Sequence, residues 1–307
     1  HEEGEFRGFG YVETLDTDST PVSDDETLDQ APVLTKTWYH TGAWLREQTL
    51  TDQFKKEYFV FEGWDDMTSI AELPSGLTAA EWREAHRALK GSPLRQEVYA
   101  LDGTGKERIP YTITANAYKV QLVQPRKENR FGSFLNYQQQ SVAFNCERDP
   151  SDPRILHELT LETDEYGNVL QKAQIAYPRR HSDTTLPLKV QEEQAKMHIT
   201  CTQSIFTNDA IDSNHYRLRL PYEVKNFEAL GIAPAGILWR AEELLTMFGT
   251  ATPIDFSATP SGAPETRLLS HTRTLYKDNT AGNSPQALGS LQSLAIPHEQ
   301  YQLVFTE

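Results

Sequence analysis

The sequence predicts a mainly β protein carrying two short helices, and three observations lead there. Segments with apolar residues at every second position recur along the chain, the pattern of a half-buried strand. Helical periodicity is confined to two stretches, so the strand–helix rhythm that builds a parallel sheet is missing. Aromatic residues are plentiful, with 13 Phe, 13 Tyr and 5 Trp, a composition that suits pleated surfaces.

The opening stretch places Phe6, Phe9 and Tyr11 among Gly4, Gly8 and Gly10 and reads as a strand that is bent or closely approached by another backbone. An acidic, proline-containing loop follows over Asp16 to Asp29; it lacks the Gly and Glu that an EF-hand requires and reads as solvated. Val33 to Trp44 is strand-like, and Gln53 to Trp64 is ambiguous between helix and strand. The first helix spans 78–90: Thr78 and Glu81 form a capping box, and Trp82, Ala85, His86 and Leu89 recur at helical spacing before Gly91 and Pro93.

Leu94 to Leu101 is a strand that turns at Asp102 to Gly105 and continues to Val123. Its apolar positions are odd at Ile109, Tyr111 and Ile113 but even at Tyr118, Val120 and Leu122, so a β-bulge or break is expected near Ala115 to Ala117. Val142, Phe144 and Cys146 mark a short strand. A hairpin then covers 159–177. Leu159, Leu161 and Thr163 are set against His157, Thr160 and Glu162, and Val169, Ala173, Ile175 and Tyr177 against Leu170, Lys172, Gln174 and Ala176. Between the arms lies Asp164-Glu165-Tyr166-Gly167-Asn168, whose Gly167 and Asn168 tolerate positive φ best. After a polar linker at Arg180 to Pro187, Met197 to Cys201 and Leu218 to Val224 read as strands, a second helix as 235–248, and Tyr301, Leu303 and Phe305 as a closing strand.

The net charge of −15 and pI near 5.1 disfavour nucleic-acid binding, which needs clustered Lys and Arg. No apolar run reaches membrane-spanning length, so membrane contact by a transmembrane helix is not expected. Cys146 and Cys201 lack a second Cys or a His at metal-ligand spacing and read as buried free thiols, with a bridge open if their strands are neighbours. The chain starts at His1 rather than Met and ends on a strand pattern, and it reads as a segment of a longer polypeptide. No nucleophile elbow, paired zinc-binding histidines or dinucleotide-binding glycine motif appears, so no catalytic residue, metal or cofactor is expected. Carboxylate pairs such as Glu162 with Asp164 and Asp65 with Asp66 are explained by strand ends and turns. A second reading, a carbohydrate- or receptor-binding β-module, would use exposed Trp and Tyr, and loss of glycan binding on Trp38→Ala or Trp44→Ala would favour it. A cryptic hydrolase built from distant residues is the third.

The hairpin at Leu159 to Arg180 resembles the tyrosine–aspartate repeat unit of RHS proteins. A longer ordered set of motifs resembles the middle and C-terminal region of the B subunit of bacterial insecticidal toxin complexes, the TcdB/TcaC family, related to Salmonella plasmid virulence B proteins. The set comprises GEFRGFGYVETLDT, KTWYHTGAW, LRQEVYALDG, RDPSDPRILHELTLETDEYGNVLQKAQIAYPRR, FTNDAIDSNHYRLRLPYEV, RTLYKD and LGSLQSLAIPHEQYQL. The resemblance implies a long curved RHS-type antiparallel β-sheet or hairpin wall, with a first part over 1–147 and a second over 148–307. It implies a secreted toxin complex in which this shell wall and an RHS-repeat C subunit enclose a cytotoxic effector. Delivery would run through a pore-forming A subunit, docked by a propeller outside this segment. The only residues it carries over are those of the structural repeat turn, Tyr166, Gly167 and Asn168, with their flanking strands.

Overall fold

Antiparallel pairing between chain neighbours dominates the structure, a computed structural model that describes residues 4–16, 31–45, 47–61, 71–280, 282 and 284–304. The chain divides into two units, His1–His157 with Ala176–Met197, and Glu158–Ile175 with His198–Glu307. Of the three crossings between them, two fall in the hairpin arms and the third at Met197–His198.

In the first unit, β1 (Tyr11–Asp16), β2 (Val33–Tyr39), β3 (Pro93–Ala100), β4 (Thr112–Gln124) and β5 (Ser133–Asn145) lie in sequence order. Two helices interrupt this series, α1 (Glu47–Glu57) and α2 (Ala79–Ala88). The expected capping box is present: Glu81 N–H donates to Thr78 Oγ1 at 3.3 Å and Thr78 N–H to Glu81 Oε2 at 3.0 Å. The same helix grips both ends of the β4–β5 connection, because Arg126 N–H donates to Glu81 Oε1 and Gly132 N–H to Glu84 Oε2, each at 2.8 Å. Its apolar face buries Ala85 and Leu89 against Tyr118 and Val120 of β4. Helix α1 inserts Phe54 beside Trp38 and Leu94, and Trp38 Nε1–H donates to Glu57 Oε2 at 3.0 Å.

The predicted irregularity in β4 is real, with a register shift against β5 between Ala117 and Tyr118. Residues Ile113 and Ala115 pair with Phe144 and Val142, while Val120 and Leu122 pair with Asn136 and Phe134. The partners in β5 are all even-numbered, so the change of parity in β4 keeps its inward set on one face.

The arms β6 (Arg154–Thr163) and β7 (Val169–Ala176) form the predicted hairpin, followed by α3 (Leu188–Gln194). In the second unit β8 (His198–Phe206) pairs with β11 (Pro221–Leu230), which pairs with β13 (Glu265–Tyr276). The two-residue strands β9 (Ala210–Ile211) and β10 (Tyr216–Arg217) form a separate small sheet. Along β13, β12 (Thr252–Ile254) pairs in parallel with its first residues and β14 (Pro297–Gln302) antiparallel with its last. Helix α4 (Ala241–Thr250) buries Leu244 and sets Phe248 edge-on to Phe227 of β11, with ring centroids 5.5 Å apart.

Several expectations are corrected. Helix 235–248 starts later, at Ala241, because Pro234 and Gly236 favour the irregular segment over 235–240; Ile237 there is exposed rather than on an apolar face. Helices α1 and α3 add to the two read from the sequence: α1 has a thin apolar stripe of Leu50 and Phe54, and α3 buries no residue. Strand β5 is 13 residues long, although Gln138, Gln139 and Gln140 disguise it as polar loop. The opening segment is not a strand before Tyr11, and Phe6 and Phe9 are exposed. At Gly10 the close neighbour is a side chain, since a Cβ there would stand 2.8 Å from Phe54 Cζ. His157 belongs to the inward set with Ile155 and Leu159, not to the outer face. The acidic loop beyond Asp16, Trp64, the pair Asp65 and Asp66, and Phe305 lie outside the described residues.

Candidate functional site, the turn at 164–168 and its arginine clasp

The turn that joins β6 to β7 is organised by the side chain of its first residue. Asp164 is buried, and its Oδ1 accepts the backbone N–H groups of Tyr166 at 3.0 Å and Asn168 at 2.9 Å. Its Oδ2 accepts Asn168 Nδ2–H at 2.9 Å, and Gly167 N–H returns to Asp164 O at 3.1 Å. This is an aspartate doing locally what a backbone turn would do. Gly167 has φ +84°, the left-handed conformation a residue without Cβ adopts freely. Asn168 is not left-handed; its contribution is the two hydrogen bonds to Asp164.

A single guanidinium gathers this turn and a distant loop of the same unit. Arg219 Nη2 donates to Glu165 Oε1 and to Asp209 Oδ2, each at 2.8 Å, while its Nε reaches Asp209 Oδ1 at 3.2 Å. Nη1 lies 3.4 Å from Asp164 Oδ2. Arg219 N–H also donates to Asp209 Oδ1 at 2.8 Å, so the loop is held from both its ends. The guanidinium carbon sits 4.7 Å from the centre of the Tyr166 ring, and Tyr166 Oη–H donates to Asp209 Oδ2 at 3.2 Å. Flat, five-pronged and always charged, an arginine can make all these contacts together where a lysine could not.

The electrostatics follow from that geometry. The hydrogen bonds from Arg219 hold the Asp209 carboxyl down to about 2, and Asp209 in turn raises Arg219. Burial, then the hydrogen bond to Asp209, raises the Tyr166 phenol. Each carboxylate is engaged by a donor, and no hydroxyl or thiol nucleophile stands next to a free base here. The arrangement fastens chain to chain.

Thus the structure brings Tyr166, Gly167 and Asn168 together as one turn, and it adds Asp164, Asp209 and Arg219. An aspartate opening a turn is a legible Asx signal. Asp209 and Arg219 carry no local signal of their link to the turn, because the turn residues they hold lie more than forty residues away in the sequence.

The remaining candidates resolve as follows. Cys146 and Cys201 are free and buried, and burial pushes their thiols up to about 11 and about 12. Trp38 is 1% exposed, which withdraws it from any sugar-binding surface; Trp44 is half-buried. Glu162 accepts a hydrogen bond from Gln171 across the hairpin. Among the described residues, no group of three or more His, Cys, Asp or Glu is arranged to hold a metal ion, and no helix is long and apolar enough to cross a membrane.

Comparison with known proteins bears out the resemblance read from the ordered motifs. Residues 84–220 match the family described as the insecticide toxin TcdB middle/C-terminal region. No curated protein matches. The crystal structure of TcdB2–TccC3 is similar over 100% of this chain and 15% of that chain, with a TM-score of 0.74 and 23% identity. A TcdB2–TccC3–Cdc42 crystal structure is similar over 100% of this chain and 14% of that one, with a TM-score of 0.73 and 24% identity. A Photorhabdus luminescens Tc holotoxin pore matches over 99% and 14%, with a TM-score of 0.72 and 24% identity. These likenesses establish a shared fold, and the chain spans about 15% of the length of the chains it matches.

Proposed function

We propose that this protein, whose residues 84–220 match the family described as the insecticide toxin TcdB middle/C-terminal region, is a structural, non-enzymatic wall segment of a toxin-complex shell. In this reading the shell is completed by an RHS-repeat C subunit and encloses a cytotoxic effector for delivery through a pore-forming subunit. The complex acts outside the producing cell. The observation that carries the reading is the extent of the likeness: 100% of the chain takes the fold of a stretch of the TcdB2–TccC3 structure. The turn at Tyr166, Gly167 and Asn168 serves as the structural repeat turn of that wall, with Arg219 as its fastening. Antiparallel neighbours in sequence order and surface ion clusters suit a wall, which needs extent and rigidity rather than a reaction centre.

The test is electron microscopy of the full parent chain co-expressed with its neighbouring RHS-repeat partner. Closed hollow particles are the expected result. Solid particles, or no complex, would remove encapsulation from the reading.

A further inference from the structure

Titratable side chains from three separate elements of the first unit converge on one cavity, and the clasp at Arg219 involves none of them. The cavity, about 300 Å³ with its open mouth included, lies where His40 just after β2, α1 (Glu47 and Phe54), α2 (His86) with its C-cap Leu89, and Leu94 of β3 meet. Nε2 of His40 is buried and has no hydrogen-bond partner, and the ring stands edge-on to Tyr118 of β4 at 5.8 Å. His86 is 2% exposed; its Nδ1 lies 3.4 Å from Glu47 Oε2, and its ring packs against Trp82 at 5.3 Å. Among the described residues, Glu47 is the one carboxylate lining the cavity.

A permanent positive charge stands beside this group. Arg7, 5% exposed, donates to the Gly42 carbonyl on the cavity wall, with its own carboxylate partner Glu5 at 3.9 Å. From α2, Arg83 and Arg87 add to the positive field at Arg7, and Arg87 shares Glu5. Burial pushes the Tyr118 phenol up to about 12, so it offers no compensating charge near neutrality. Two imidazoliums would therefore share one carboxylate next to a third cation, in a site that already disfavours charge by burial.

We propose that this cavity is an acid-sensitive latch, in which protonation of His40 and His86 forces α1 and α2 away from the strands they cover and opens the helical layer of the first unit. The direction follows from linkage. Burial, then the neighbouring His86, lowers His40 to about 4, and burial lowers His86. An opened form therefore binds protons first. Closure is complete above an ordinary histidine value of about 6.5 and is lost progressively as pH falls toward 4. Burial raises Glu47, so it takes up a proton as acid rises and stops balancing the imidazoliums. In the second unit, by contrast, His271 lies 2.5 Å from Glu223 and His215 lies 3.0 Å from Asp212, so a proton there meets a carboxylate.

Hydrogen exchange of the intact chain, corrected for intrinsic rates and followed from pH 7.5 to 5, tests this. Linkage predicts about 30-fold more frequent opening of α1 and α2 at pH 5 from His40 alone. Amides of β13 serve as the reference, and amides of β6 report separately on the other buried imidazole, His157. The double variant His40→Gln/His86→Gln should lose the pH dependence in α1 and α2. Equal pH response in the helices and in β13, or persistence of the response in the double variant, would overturn the latch. Should the variant not fold, NMR titration of the wild-type imidazoles decides: a His40 ring that titrates near 6.5 while α1 stays protected overturns it, and one that stays neutral until α1 opens supports it.

Discussion

In the first unit the carboxylate of Glu97 is fully buried in β3, where it accepts Arg95 Nε–H at 2.7 Å, Tyr99 Oη–H at 2.6 Å and the Phe59 amide at 2.9 Å. In the second, the carboxylate of Asp209 meets Arg219 at a half-exposed surface, within reach of solvent. The two ion pairs act under different rules. Removing a partner from the buried pair strands a charge in a poor dielectric, whereas water can replace a partner at the surface. The histidines differ too: half-buried His40 has a buried Nε2 without a partner and buried His86 has Glu47 at 3.4 Å, whereas His271 and His215 each lie within 3.0 Å of a carboxylate. The Glu97 pair is sealed and sensitive to the loss of a partner, and the Asp209 clasp stays within reach of exchange with water.

Four changes would break or sharpen that contrast, each followed by site-resolved hydrogen exchange and by urea unfolding. The largest effect is expected from Trp38→Ala, which empties the space between Phe54 and Leu94 and removes the bond to Glu57; about 3–5 kcal/mol should be lost in the first unit, with β11 and β13 unaffected. Glu97→Gln leaves Arg95 charged and buried, and about 3 kcal/mol should disappear from the same unit. Equal loss in both units would show that they unfold together. Gly167→Ala places a Cβ at φ +84° and should cost about 1 kcal/mol, confined to the hairpin and the loop that Arg219 attaches to it. The smallest effect concerns mild acid. Asp209 is depressed to about 2, so its contribution is present above its ordinary value near 3.8 and is lost only as pH falls through about 2. Exchange at residues 164–168 should therefore stay constant from pH 7 to 5, and a rise there would erase the contrast with the first unit.

The legibility of this chain followed the range of the forces involved. Elements decided by neighbours in sequence were readable: the box at Thr78 and Glu81, the β4 irregularity from a parity change, and the hairpin from two alternating arms. Elements decided by distant partners were not. Helix α1 is amphipathic only through Leu50 and Phe54, whose worth depends on Trp38 waiting opposite. Strand β5 is polar over Gln138 to Gln140, yet Gln138 is placed by its bond to Asn116. His157 shares the parity of Leu159 and Leu161, and stacking on Tyr177 and a 3.1 Å bond to its hydroxyl keep this polar ring inside. In the clasp the turn residues were visible and their arginine was not, since no local pattern links Arg219 to Asp164.

The parity change in β4 has a consequence for how chains of this fold can differ in length. Loops such as 181–187 are exposed and can gain or lose residues without disturbing a ladder. The stretch Ala115 to Tyr118 cannot. Deleting one residue there would turn Tyr118 and Val120 away from Ala85 and Leu89, while Ile113 and Ala115 kept their places opposite Phe144 and Val142. Helix α2 would lose its seat, and with it the grip of Glu81 and Glu84 on the β4–β5 connection. Divergence among such chains should therefore run by substitution through this strand and by insertion only beyond it.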